Sequence, residues 1–82
     1  MTRIGPVHWK KFESFLIANG CEFKRQKGSH KIYWKKGLKR PIIIPRDTQL
    51  PPMVILNNLN TLGVSREDFL SFLKEKKKNK RS

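Results

Sequence analysis

Gly28-Ser29-His30 followed by Tyr33 is the stretch of this 82-residue chain whose residue types and spacing suit chemistry. A histidine there stands where a glycine turn delivers the chain into a strand, so its imidazole would be rigidly held. RNA is cut without metal when a base takes the proton of a ribose 2′-hydroxyl and the freed oxygen attacks the adjacent phosphate. Histidine is the commonest side chain for that duty. Arg25, Lys27 and Lys31 flank it in sequence, and such cations can hold a phosphate and steady the extra charge of the transition state. The same position also suits a hydrogen-bonded structural histidine or a plain RNA contact. Ser29 fits its turn and has no Asp nearby to complete a serine hydrolase, which leaves it as an RNA contact beside His30. His8, next to Trp9, has less context and is expected to be structural.

Positioning His30 is the task of the elements around it. Over residues 21–26 Cys21 and Phe23 alternate with Glu22 and Lys24, the period-two signature of a half-buried strand, and this parity puts Phe23 in the core. Lys27-Gly28-Ser29 makes a tight turn, and His30 to Trp34 continue as a second strand rich in β-branched and aromatic residues. Tyr33 and Trp34 must point to opposite faces. Ile32 shares its parity with Trp34, so Trp34 is expected in the core and Tyr33 outside, able to stack on a base or bond a phosphate. Lys35, Lys36, Lys39 and Arg40 surround Gly37 in a polar hairpin loop expected to track phosphates, and Pro41 to Pro45 form a short third strand.

Helices account for the rest. Val7, Phe12, Phe15 and Leu16, with Trp9, fall at helical spacing over residues 7–19, and Asn19-Gly20 supplies a stop. Pro51-Pro52 can open a second helix, with Ile55, Leu56, Leu59 and Leu62 marking one face until Gly63. Ser65-Arg66-Glu67-Asp68 resembles a capping box and opens a third helix carrying Phe69, Leu70, Phe72 and Leu73. The order is α-β-β-β-α-α: a small α+β domain with a three-stranded antiparallel meander, helices on one sheet face, and the other face or its rim left for a ligand. Residues 1–73 are read as this single domain and residues 74–82 as a basic, disordered tail.

Charge narrows the partners. The chain has 19 Lys and Arg against 6 Asp and Glu, a formal net of +13, and residues 1–73 alone keep 13 basic and 5 acidic side chains, a net of +8. A polyanion is the natural partner. No apolar run approaches the ~20 residues that span a bilayer, and Phe15-Leu16-Ile17-Ala18 is too short for a signal-peptide core, so a cytoplasmic protein without membrane contact is expected. The single Cys21 can form no internal disulfide and has no CxxC partner for zinc; it reads as a small buried strand residue. Neither a metal nor a small-molecule cofactor is expected.

These residues together resemble the HicA toxins, small messenger-RNA interferases with a fold like a double-stranded RNA-binding domain. The likeness is ordered along about residues 7–73: a helix ending at Gly20, a strand through Phe23 to Lys27, Gly28-Ser29-His30 with Tyr33, a third strand ending at Pro45, and Leu62-Gly63-Val64-Ser65 leading to Phe69. The resemblance implies that His30 is catalytic and that a HicB-like antitoxin binds the toxin and blocks its site. Two departures stand out. Where the family often has a second histidine beyond the proline, this chain has Pro45-Arg46-Asp47, and where it has Gly-Thr before the next helix, this chain has Pro51-Pro52. The general acid is thereby left unassigned.

The leading expectation is a metal-independent endoribonuclease toxin acting on messenger RNA. Lys27, Lys31 and Arg40 would draw in the backbone, Tyr33 would contact the RNA, and His30 would activate the ribose hydroxyl. Its rivals are a non-catalytic RNA-binding protein of the same fold and an interaction module whose positive surface answers an acidic partner chain.

Overall fold

Proline, glycine and capping side chains punctuate the chain where the elements begin and end. The computed structural model describes residues 5–46 and 49–79, with side chains to residue 74. His8 caps α1 (Trp9–Ala18), its Nδ1 accepting the Lys10 N–H at 3.1 Å. That gives His8 a structural role, satisfying one of the donors a helix start leaves open. Phe12, Phe15 and Leu16 form the buried face of α1. Pro51 and Pro52 open α2 (Pro52–Leu62), and Gly63 ends it in the left-handed conformation at φ +81. Ser65 caps α3 (Arg66–Asn79), its Oγ accepting the Asp68 N–H at 3.1 Å. The backbone of α3 runs on to Asn79, so the domain boundary expected after Leu73 falls inside a helix; residues 80–82 lie outside the described residues.

Three strands, β1 (Glu22–Lys27), β2 (His30–Trp34) and β3 (Ile42–Pro45), form an antiparallel sheet in the order β1-β2-β3. Lys27 pairs with His30, which leaves Gly28-Ser29 as a two-residue hairpin turn, and Gly28 takes φ +63 as such turns require at their first position. β1 slips by one residue between Phe23 and Arg25. Lys24 is therefore the extra residue of a bulge.

One sheet face is covered by the helices. The core joins Phe12, Phe15 and Leu16 to Tyr33, Ile42 and Ile44 of the sheet and to Leu50, Ile55, Leu59, Leu62 and Phe69. Phe69 meets Phe15 and Phe12 edge-on at 4.9 and 5.4 Å between ring centres, which docks α3 on α1. Asn58 of α2 donates to the Ile43 carbonyl at 3.3 Å on β3. The result is the small α+β fold expected, in the order expected, and it is compatible with the double-stranded-RNA-binding-domain-like arrangement that the resemblance implies.

Three expected burial assignments are overturned. Tyr33 is fully buried and Trp34 is 36% exposed, the reverse of the expectation. The register explains it: Tyr33 lies across from Ile42 and Lys31 from Ile44, whose side chains face the helices, whereas Ile32 lies across from Ile43, which is 44% exposed. Ile32 was thus a false marker for the core face. Phe23 shares Tyr33's face, its ring 5.7 Å from the tyrosine's, yet it is 45% exposed because β1 is an edge strand exposed along its whole length. Cys21, just before β1, is buried as expected, and burial pushes its thiol pKa up while Lys35 pulls it partly back.

Candidate functional site

His30 is the first residue of β2 and is exposed. Its backbone is held on three sides: Lys27 pairs with it across the turn, Pro45 pairs with it from β3, and the Arg46 N–H donates to the neighbouring Ser29 carbonyl at 2.9 Å. Gln26 braces the turn from within, its Nε2 donating to the Gly28 carbonyl at 2.9 Å. A side chain on so clamped a turn presents itself at low entropic cost.

Strand alternation settles what accompanies it. His30, Ile32 and Trp34 share the face turned away from the helices, and their cross-strand partners Lys27, Arg25 and Glu22 stand beside them on β1. Pro45 and Ile43 flank them on β3. The structure therefore brings Arg25, Lys27 and the turn residue Ser29 to His30, as expected, and all four are exposed.

Lys31 and Tyr33 belong elsewhere. The Tyr33 hydroxyl donates to Glu13 Oε2 at 2.5 Å, and Lys31 Nζ reaches the same oxygen at 3.3 Å. Lys31 also lies over the Trp9 and Phe23 rings, at 4.5 and 4.7 Å from their centres, with its side chain only 14% exposed. Burial first, then the hydrogen bond and charge of Glu13, push the Tyr33 hydroxyl pKa far above that of an ordinary tyrosine. Tyr33 has no surface to offer an RNA, and its assignment as an RNA contact is withdrawn. Lys31 points away from the His30 face and neutralises Glu13 instead.

The expected basic cluster also divides. Lys35, Lys36, Lys39 and Arg40 follow the far end of β2, five or more residues beyond His30, and that end lies about 13 Å from His30 along the strand. Lys35 and Lys36 line a depression with Trp34, and Lys39 and Arg40 belong to the connection from β2 to β3 that begins there. Arg46 neighbours the His30 turn through its backbone bond to Ser29, but its guanidinium carbon lies 5.4 Å from the centre of the Trp9 ring, the ring that Lys31 also covers, so its side chain turns to the helix side. The signal for that backbone bond was the register, since pairing of His30 with Pro45 sets Ser29 against Arg46. Asp47 lies outside the described residues.

An exposed imidazole beside two cations of the neighbouring strand, on an open sheet face, can exchange protons with a bound polyanion. Among the described residues no three His, Cys, Asp or Glu side chains gather as a metal site, and no helix is long and apolar enough to cross a membrane. A comparison with protein families finds that the model of the HicA toxin of bacterial toxin–antitoxin systems matches residues 9–64, which include α1, the whole sheet, the His30 turn and α2. No curated protein and no solved structure gives a significant match. With the match covering more than half of its length, the chain belongs to the HicA family, toxins of bacterial toxin–antitoxin systems, and this membership brings with it a cognate antitoxin as partner.

Proposed function

We propose that this toxin is a metal-independent endoribonuclease that cleaves messenger RNA in the cytoplasm with His30 as its general base. The observation that carries the proposal is the placement of His30: exposed, on a clamped two-residue turn, beside Arg25 and Lys27 and inside the span of the family match. The backbone enters along the open face, held by Lys27 and Arg25 with Ser29 at the turn. His30 takes the 2′-hydroxyl proton, the freed oxygen attacks the adjacent phosphorus, and the bond to the 5′ oxygen breaks. The products are a 2′,3′-cyclic phosphate and a 5′-hydroxyl, the proton passing in net from one oxygen to the other. Cations beside the phosphate stabilise the charge that builds up on it. Lys35, Lys36, Lys39 and Arg40 extend the same path, and the basic residues 74–82 add to the long-range attraction. A HicB-like antitoxin silences the toxin by covering the His30 face.

Messenger RNA incubated with the protein in EDTA, beside a His30→Ala control, tests this. Fragments ending in cyclic phosphate from the wild type, and intact RNA from the variant, are expected. RNA bound but intact in both tubes would make the protein a non-catalytic binder of the same fold.

A further inference from the structure

The end of β2 opposite His30 carries features that proton transfer does not use. Trp34 presents its ring on the open face, and with Gly20, Glu22, Lys35 and Lys36 it lines a shallow depression of about 430 Å³. That volume is ample for one nucleobase with its sugar. Glu22 lies directly across from Trp34 in the register, its side chain 75% exposed. Gly20 takes φ +91 and leaves the floor to the stem of Lys35, whose Cε would lie 3.6 Å from any Cβ placed there.

The geometry points to a nucleobase subsite at Trp34, in which the ring stacks on a base, Lys35 and Lys36 hold its flanking phosphates, and Glu22 reads its edge. An aromatic face with adjacent cations is the general platform for single-stranded nucleic acid. Glu22 adds selectivity, because a carboxylate repels phosphate and accepts hydrogen bonds only. Guanine alone presents two adjacent donors, N1–H and the N2 amino group, on its pairing edge. Adenine and cytosine set an acceptor beside their amino group, and uracil flanks its single donor with carbonyls, so each brings a lone pair against the carboxylate. The contact of Glu22 with Lys24, at 3.5 Å between two exposed side chains, is too weak to hold the carboxylate away from a ligand.

Spacing ties the subsite to the cut. Trp34 and His30 share one face of one strand, four residues apart, about 13 Å, so a strand seated at Trp34 delivers a phosphate to His30 a short, fixed number of nucleotides away. The subsite rests on the proposal of RNA cleavage at His30, and two readouts separate the two. Cleavage positions are mapped on a mixed-sequence single-stranded RNA for the wild type, Trp34→Ala, Trp34→Phe and Glu22→Gln. Binding of a labelled guanine-containing oligonucleotide, and of its adenine counterpart, is measured with His30→Ala as the parent, and thermal unfolding checks that each variant is folded.

Wild-type cuts should carry a guanine at one fixed offset. Trp34→Ala should lose that preference and bind on the order of tenfold more weakly or worse, as expected for a lost base stack, while Trp34→Phe retains most of both. Glu22→Gln should keep stacking but no longer tell guanine from adenine. Guanine selectivity in binding without any wild-type cleavage would sink the nuclease and keep the subsite. Cleavage or binding that Trp34→Ala and Glu22→Gln leave unchanged would overturn the subsite and leave the nuclease standing.

Discussion

Along β2 the side chains at 31 and 33 and those at 30, 32 and 34 stand on opposite sides of one sheet and meet opposite conditions. On the helix side Tyr33 is fully buried, its hydroxyl committed to Glu13, and Lys31 is held by the same carboxylate and by two aromatic rings. Each polar atom there has a partner inside the molecule, as burial demands. On the open side His30, Arg25 and Lys27 are exposed, and apolar Ile43 and Trp34 stay in contact with solvent. A five-residue strand thus divides by parity: odd positions hold the fold and even positions face away from the helices. Cation and aromatic types occur on both sides, so residue type alone does not say which side works.

Variants of the helix side sharpen this contrast because they should act through stability alone. Tyr33→Ala removes a large buried ring and deprives Glu13 of a hydrogen bond, and should cost about 4 kcal/mol, much of the stability of so small a domain. Urea unfolding measures it, and a loss below about 1 kcal/mol would place Tyr33 outside the core. Tyr33→Phe keeps the ring and deletes only the hydroxyl, for about 1 kcal/mol at neutral pH.

The same substitution has a signature in alkali. In the unfolded chain a tyrosine ionises near pH 10, whereas Tyr33 in the folded protein holds its proton to higher pH. Between those two values the unfolded state has lost a proton that the folded state keeps, so this contribution is full below about pH 10 and declines as pH rises. Wild type should therefore lose stability above pH 10 faster than Tyr33→Phe, and parallel curves would show that the Tyr33 hydroxyl is not held as described. Smallest is Phe23→Ala: with its ring 45% exposed at the sheet edge, about 1 kcal/mol is expected. A cost near that of Tyr33→Ala would mean that the helices cover β1 after all.

Element boundaries were legible because they are set by local chemistry. The αL glycine at 63, the serine cap at 65, the proline start of α2 and the two-residue turn at Gly28-Ser29 each impose a conformation through a few neighbouring residues. The place of His30, exposed at the start of β2 after that turn, was legible for the same reason. Parity in β2 was not, because Ile42-Ile43-Ile44 in β3 is apolar at every position and gives no alternation to align against. The side that Tyr33 faces depends on where α1 docks, and Glu13, which receives both Tyr33 and Lys31, is 20 residues from the tyrosine in sequence. Arg46 likewise reaches the His30 turn only through the register of β2 with β3. Long-range register and helix docking are tertiary facts, and the errors fell there.

The division between the two faces is tested most directly by one variant measured two ways: RNA cleavage in EDTA and the unfolding midpoint, both for His30→Ala. An exposed side chain on a turn supports little of the core, so the midpoint should stay within a few degrees of wild type while cleavage falls at least about a hundredfold, the scale of general-base catalysis. A variant that still cuts RNA at the wild-type rate, or one that loses activity only because it has unfolded, would contradict the assignment of chemistry to the open face.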